Sequence, residues 1–133
     1  MTNRGSAKGP RGPRGKRGSR GERGQPDGLK LVTQALVDRK AVDPVVLDLR
    51  GLSSATDYFI IASGTSDAHV RGMAEHLMQV SGQRPHHVEG LAQGRWVLLD
   101  YVDFVVHVFH PELREFYQLE RLWAEAPMAT VTG

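Results

Sequence analysis

The chain has 133 residues, 40% of them hydrophobic and none of them cysteine. That suffices for one domain with a real core, and it excludes disulfide frameworks, cysteine-ligated zinc and thiol nucleophiles. The net charge of +2 conceals an asymmetry: residues 1–28 carry eight Lys/Arg and two acids (net +6), while residues 29–133 carry nine bases and thirteen acids (net −4).

The basic stretch is periodic. Gly9, Gly12, Gly15, Gly18, Gly21 and Gly24 fall every third residue, and five consecutive triplets read Gly-X-Arg. Strict Gly-X-Y is the collagen pattern, but Pro fills X only at Pro10 and Pro13 and the run is short. The expectation is a disordered basic arm over residues 1–28, which attracts RNA phosphate without sequence preference or merely solubilises the protein. No apolar stretch follows it, so it does not read as a secretory signal. It is Gly/Pro-periodic and not amphipathic, which favours the bacterial cytoplasm over an organelle. No apolar run approaches the roughly 18 residues that span a bilayer.

Leu29, Val32, Ala35 and Leu36 recur at helical spacing and predict a helix to about Lys40. Asp43-Pro44 reads as a turn, Val45–Arg50 as a strand, and Asp57–Ser63 as a second strand, with Phe59 and Ile61 on one face and Tyr58 and Ile60 on the other. Apolar residues on both faces place that strand in the middle of a sheet. Ser66 caps a helix over Asp67–Ser81 that buries Val70, Met73, Ala74 and Leu77. Pro85–Glu89 suggests a short strand. Trp96–Asp100 and Asp103–Phe109 then form a hairpin, in which Trp96, Leu98 and Asp100 share one face and Val97, Leu99 and Tyr101 the other. Pro111 opens a helix running to about Trp123. Its residues Leu113, Phe116, Tyr117, Leu119, Leu122 and Trp123 span an arc of about 220°, more than one sheet needs, which hints at a second chain or partner. The order is α-β-β-α-β-β-β-α, a mixed-sheet α/β domain over residues 29–126, with residues 127–133 as a C-terminal tail.

A Trp beside an acid on one strand face reads either as the edge of a core or as an interface anchor. Catalytic chemistry has a weak footing. His69 and His76 lie seven residues apart, too far for one zinc, while His86 and His87 point oppositely on a strand. Asp100 and Asp103 flank a turn and are not an Asp-X-Asp pair for Mg²⁺, which favours a turn-capping role. Gly64-Thr65-Ser66 at a helix start is a conceivable anion cradle without the spacing of a P-loop. No metal or other cofactor is expected.

Taken together, TDYFIIASGTSDAHV (Thr56–Val70), Glu89-Gly90 and GRWVLLDYVDFVVHVFHPELREFYQLERLW (Gly94–Trp123) resemble the ribosomal silencing factor family, also called Iojap-like. The resemblance covers about residues 29–126 and implies a nucleotidyltransferase-like fold. It implies a non-enzyme that binds the fourteenth large-subunit ribosomal protein, uL14, and keeps the small subunit from docking. It further implies a homodimer off the ribosome. Carried over by position, Trp96, Leu98, Asp100 and Asp103 are expected at the ribosomal-protein contact, with Tyr101, His107 and Tyr117 as further candidates. That moves Trp96 and Asp100 from core to interface. The fold relationship keeps magnesium-dependent nucleotidyl transfer by Asp100 and Asp103 open as an alternative, as the basic arm keeps a tail-led RNA-binding module. One departure stands out: the family usually has Gly where this chain has Val102. The turn is therefore of an unusual type or strained, and the placing of Asp103 depends on which.

Overall fold

Two strands that are apolar on both faces, Tyr58–Ser63 and Phe104–Phe109, pair in parallel at the middle of a six-stranded sheet. This is a computed structural model, and it describes residues 26–131. The expected disordered arm lies outside the described residues except at its end, where Asp27 and Gly28 already belong to the first helix. The elements are α1 (Asp27–Asp38), β1 (Val42–Asp48), β2 (Tyr58–Ser63), α2 (Asp67–Val80), β3 (His87–Glu89), β4 (Trp96–Asp100), β5 (Phe104–Phe109), α3 (Pro111–Tyr117), α4 (Leu119–Leu122) and β6 (Met128–Thr130). The sheet order is β3-β4-β5-β2-β1-β6, and every pairing except β2 with β5 is antiparallel.

One face of the sheet is covered by α1 and α2. Leu29, Val32, Ala35 and Leu36 of α1, and Val70, Met73, Ala74 and Leu77 of α2, pack with Val46, Tyr58, Ile60, Ala62, Val97, Leu99, Val106 and Val108. These helical residues repeat at three and four positions, so each helix turns one stripe inward. Ser66 caps α2 as expected, its hydroxyl accepting the His69 N–H at 3.0 Å. The opposite face carries a smaller cluster of Val45, Leu47, Leu49, Ile61, Phe109 and Ala126, with Phe59, Trp96, Leu113, Leu119 and Trp123 packed against it.

The structure departs from the expected order in three places. β1 begins earlier than expected, running through Asp43-Pro44 as a bulge with Asp43 at φ 48°; a bulge accommodates a proline because the ladder bond is already interrupted. The last helix is two. Gln118 adopts φ 46°, ψ 56°, and its N–H bonds the Arg114 carbonyl at 2.8 Å, ending α3. The break swings Leu119 and Trp123 back onto the sheet, so the wide apolar arc is consumed in part within the chain. The Arg114 guanidinium fixes the bend: it donates to Glu120 at 2.6 and 3.0 Å, to the Ser63 hydroxyl at 3.1 Å and to the Val42 carbonyl at 3.1 Å. Finally, residues 128–130, expected in a tail, form β6 against β1.

Candidate functional site

Alternation along β4 sends Val97 and Leu99 into the helix-covered core, while Trp96, Leu98 and Asp100 stand half-buried on the other face. On that face Leu113, Leu119, Trp123 and Ala126 join the cluster on β1 and β2, leaving the β4 residues partly open to solvent. The three sequence-predicted residues are thus brought together in one row. Register then defines what lies beside them: Trp96 pairs with Phe109, Leu98 with His107 and Asp100 with Val105.

The Trp96 indole lies tilted on Phe109, with ring centroids 4.9 Å apart, and its Nε1–H donates to His107 Nδ1 at 3.1 Å. His107 is only 4% exposed. It meets Phe59 edge-on at 4.6 Å, and Phe59 in turn meets Trp123 at 6.0 Å. Burial in these apolar surroundings lowers the His107 pKa to about 4, so the ring is neutral at physiological pH. His107 therefore lies beneath the surface that Trp96 presents, and not upon it.

The other candidates separate. Tyr101 is 4% exposed and stacks on Phe104 at 4.9 Å in the helix-side core, where burial raises its phenol above the usual value. It faces away from Trp96. Tyr117 lies in α3, but its side chain is outside the described residues. Asp103 is half-buried at the hairpin turn, its carbonyl accepting the Asp57 N–H at 3.1 Å.

That turn is tight. The Asp103 N–H bonds the Tyr101 carbonyl at 2.9 Å across Val102, which sits at φ 76° with 54% of its surface exposed. An i→i+2 bond over a residue at this φ is a strained γ-turn, rare for any residue but glycine. Three clasps hold it: Asp100 Oδ1 accepts the Val102 N–H at 2.8 Å, Thr56 Oγ1 donates to the Val102 carbonyl at 2.9 Å, and Tyr101 N–H bonds the Phe104 carbonyl at 2.9 Å. Asp100 is thus both a turn cap and a surface carboxylate.

Three histidines elsewhere, His69, His76 and His87, have partners for their side chains within the protein. His69 Nδ1 accepts the Thr65 N–H at 2.9 Å and its Nε2–H donates to the Arg39 carbonyl at 2.8 Å. His76 accepts from Arg39 at 3.3 Å, and His87 pairs with Glu89 at 2.6 Å. Among the described residues, no three His, Asp or Glu side chains gather as a metal set, and no helix is long and apolar enough to cross a membrane.

Residues 23–133 match the family model described as ribosomal silencing factor during starvation. The chain belongs to the ribosomal silencing factor family. The silencing factor of Halalkalibacterium halodurans is 41% identical over 108 residues, covering 79% of this chain and 92% of that protein. That of Bacillus subtilis is 41% identical over 104 residues, covering 76% and 88%. The fold agrees as well: a crystal structure of a Chromobacterium violaceum protein superposes with a TM-score of 0.70 at 34% identity, covering 80% of this chain and 91% of that one. Membership places this chain among ribosome-associated silencing factors. Two residues beneath the Trp96 row escape a reading of single strands: Phe109 on β5, buried under the indole, and Phe59 on β2, packed on His107. Counting back from the hairpin turn would have found Phe109, since the positions of paired residues on β4 and β5 have a constant sum.

Proposed function

We propose that the chain represses translation by binding uL14 on the large ribosomal subunit through the row Trp96, Leu98 and Asp100, with Asp103 at its end. Bulk held at that place keeps the small subunit from docking, with no chemistry required. The observation that carries this reading is a half-buried indole in line with carboxylates on a domain of net charge −4. Aromatic anchors ringed by complementary charge are what interface hot spots consist of, and ribosomal proteins are typically basic. In this reading Val102, exposed at the hairpin tip, borders the contact.

The Gly-X-Arg arm adds non-specific attraction to ribosomal RNA, the protein is a homodimer off the ribosome, and it works in the bacterial cytoplasm. The test is co-sedimentation with separated large subunits. Trp96→Ala removes the anchor, and an alanine at a hot spot typically costs more than about 2 kcal/mol, or roughly 30-fold in affinity. Binding retained by a folded Trp96→Ala protein would refute the assignment. Removing residues 1–25 lowers affinity at low salt and flattens the salt dependence, while leaving the Trp96 effect intact.

A further inference from the structure

A partly exposed tryptophan on a strand has more than one staggered rotamer available, and ring packing alone leaves the direction of its N–H to be set. Trp96 has a second constraint. Phe109, directly across on β5, supports the ring, while the hydrogen bond reaches diagonally to His107, which is opposite Leu98. An indole has one donor and no acceptor, so a fixed acceptor for that donor sets the rotation of the ring. His107 is such an acceptor. It is almost wholly buried, pinned by Phe59 from β2, and cannot swing out to meet solvent.

We propose that His107 is a positioning residue for Trp96: its buried imidazole Nδ1 holds the indole N–H and thereby sets the ring orientation that β4 presents to the ribosomal-protein partner. This rests on the reading of Trp96 as the anchor of that contact. A pocket shaped for an indole tolerates little angular error, so an anchor free to change rotamer loses roughly 3- to 10-fold in affinity.

The surroundings keep the ring in its accepting form. β2 contributes Phe59 and Ile61, β4 contributes Trp96 and Leu98, β5 contributes Val105 and Phe109, and Trp123 lies behind Phe59. The ionisable groups sharing this face on neighbouring strands are Asp100, which caps the Val102 N–H, and His87 with Glu89, which pair with each other at β3. Burial is the cause given by the geometry for the low basicity of the ring, and a neutral ring accepting at Nδ1 carries its proton on Nε2.

The experiment uses the full chain carrying Trp123→Phe, which leaves Trp96 as the single tryptophan of the two. His107, His107→Leu and His107→Asn versions are compared by time-resolved fluorescence anisotropy at pH 7 and by affinity for isolated large subunits. With His107 the indole moves only with the domain; lowering the pH through about 4 frees it. His107→Leu fills the space without an acceptor, so it shows fast local motion at pH 7 and binds roughly 3- to 10-fold more weakly. His107→Asn places an oxygen near the Nδ1 position, and restores both the restrained indole and the affinity to within about twofold. The proposal is overturned if the leucine variant keeps a restrained indole, or if asparagine does no better than leucine. Should none of the three bind large subunits, the proposed function fails, and the anisotropy alone still decides whether His107 holds Trp96.

Discussion

Val102→Gly should make the protein more stable, against the usual direction of such a change. Val102 sits at φ 76°, and holding a β-branched residue there costs about 1–3 kcal/mol of local strain. Glycine removes that strain. Against the gain stand about 0.5–1 kcal/mol for the greater backbone freedom of glycine in the unfolded chain. The contacts of a valine already 54% exposed contribute about 0.5 kcal/mol more. With the strain near the middle of its range, the net is a gain of about 0.5–1 kcal/mol, or a rise in Tm of about 2–4 °C for a domain of this size. Val102→Ala supplies the control, because alanine keeps a Cβ at the same positive φ. In an ordinary helix alanine is better than glycine by about 1 kcal/mol; at this turn the order should reverse. Urea denaturation with a shared m-value measures both variants. A glycine variant less stable than the alanine variant would refute the strain argument, whatever either does relative to the parent.

Three further outcomes follow from the same geometry. Stability should fall as pH drops from about 6.5 to about 4, because the unfolded chain protonates His107 where the folded one refuses the proton; the full loss is about 3 kcal/mol, and the difference between the parent and His107→Leu across a pH series of urea melts isolates it. Asp100→Asn should keep the clasp on the Val102 N–H, leaving stability within about 0.5 kcal/mol while weakening large-subunit binding and its salt dependence. Asp100→Ala should lose both, with a stability cost of about 1–2 kcal/mol; equal stability of the two variants in thermal melts would show that the clasp contributes nothing. Gly90→Ala should destabilise by about 2–3 kcal/mol, since Gly90 is at φ 79° and a Cβ there would collide with the Trp96 carbonyl; calorimetry at neutral pH checks it.

How much of this was legible in the sequence depends on the range of the interaction concerned. The apolar stripes of α1 and α2, the Ser66 cap and the double-sided strand β2 are local patterns, and each lies where its period says. The Val102 anomaly was readable through the family resemblance, which puts Gly at that position, but the turn type was not: the expected two-residue connection is the three residues Tyr101–Asp103, closed by a γ-turn over Val102. The bend at Gln118 was not. Helical period and propensity run straight through it, and what bends the chain is a guanidinium that reaches Glu120, Ser63 and the Val42 carbonyl at once. β6 was missed for a related reason: three exposed residues carry no alternation, and only the free edge of β1 gives them a partner.

The site divides along the same line. Trp96, Leu98 and Asp100 share a face by strand period alone, and the sequence suffices to group them. Tyr101 and His107 differ from them in the layer and depth each enters. Tyr101 follows Asp100 by one residue, so the pleat carries it to the helix side. His107 has the right face but the wrong depth, because β5 is an inner strand flanked by β4 and β2, whereas β4 has only the three-residue β3 beyond it. The same chemical group thus serves differently by position in the sheet. Under the proposed reading, an imidazole on β4 would stand at the contact, whereas on β5, bonded to the indole N–H from beneath, it acts through its neighbour, so a change there should register in the motion of Trp96 before it registers in binding.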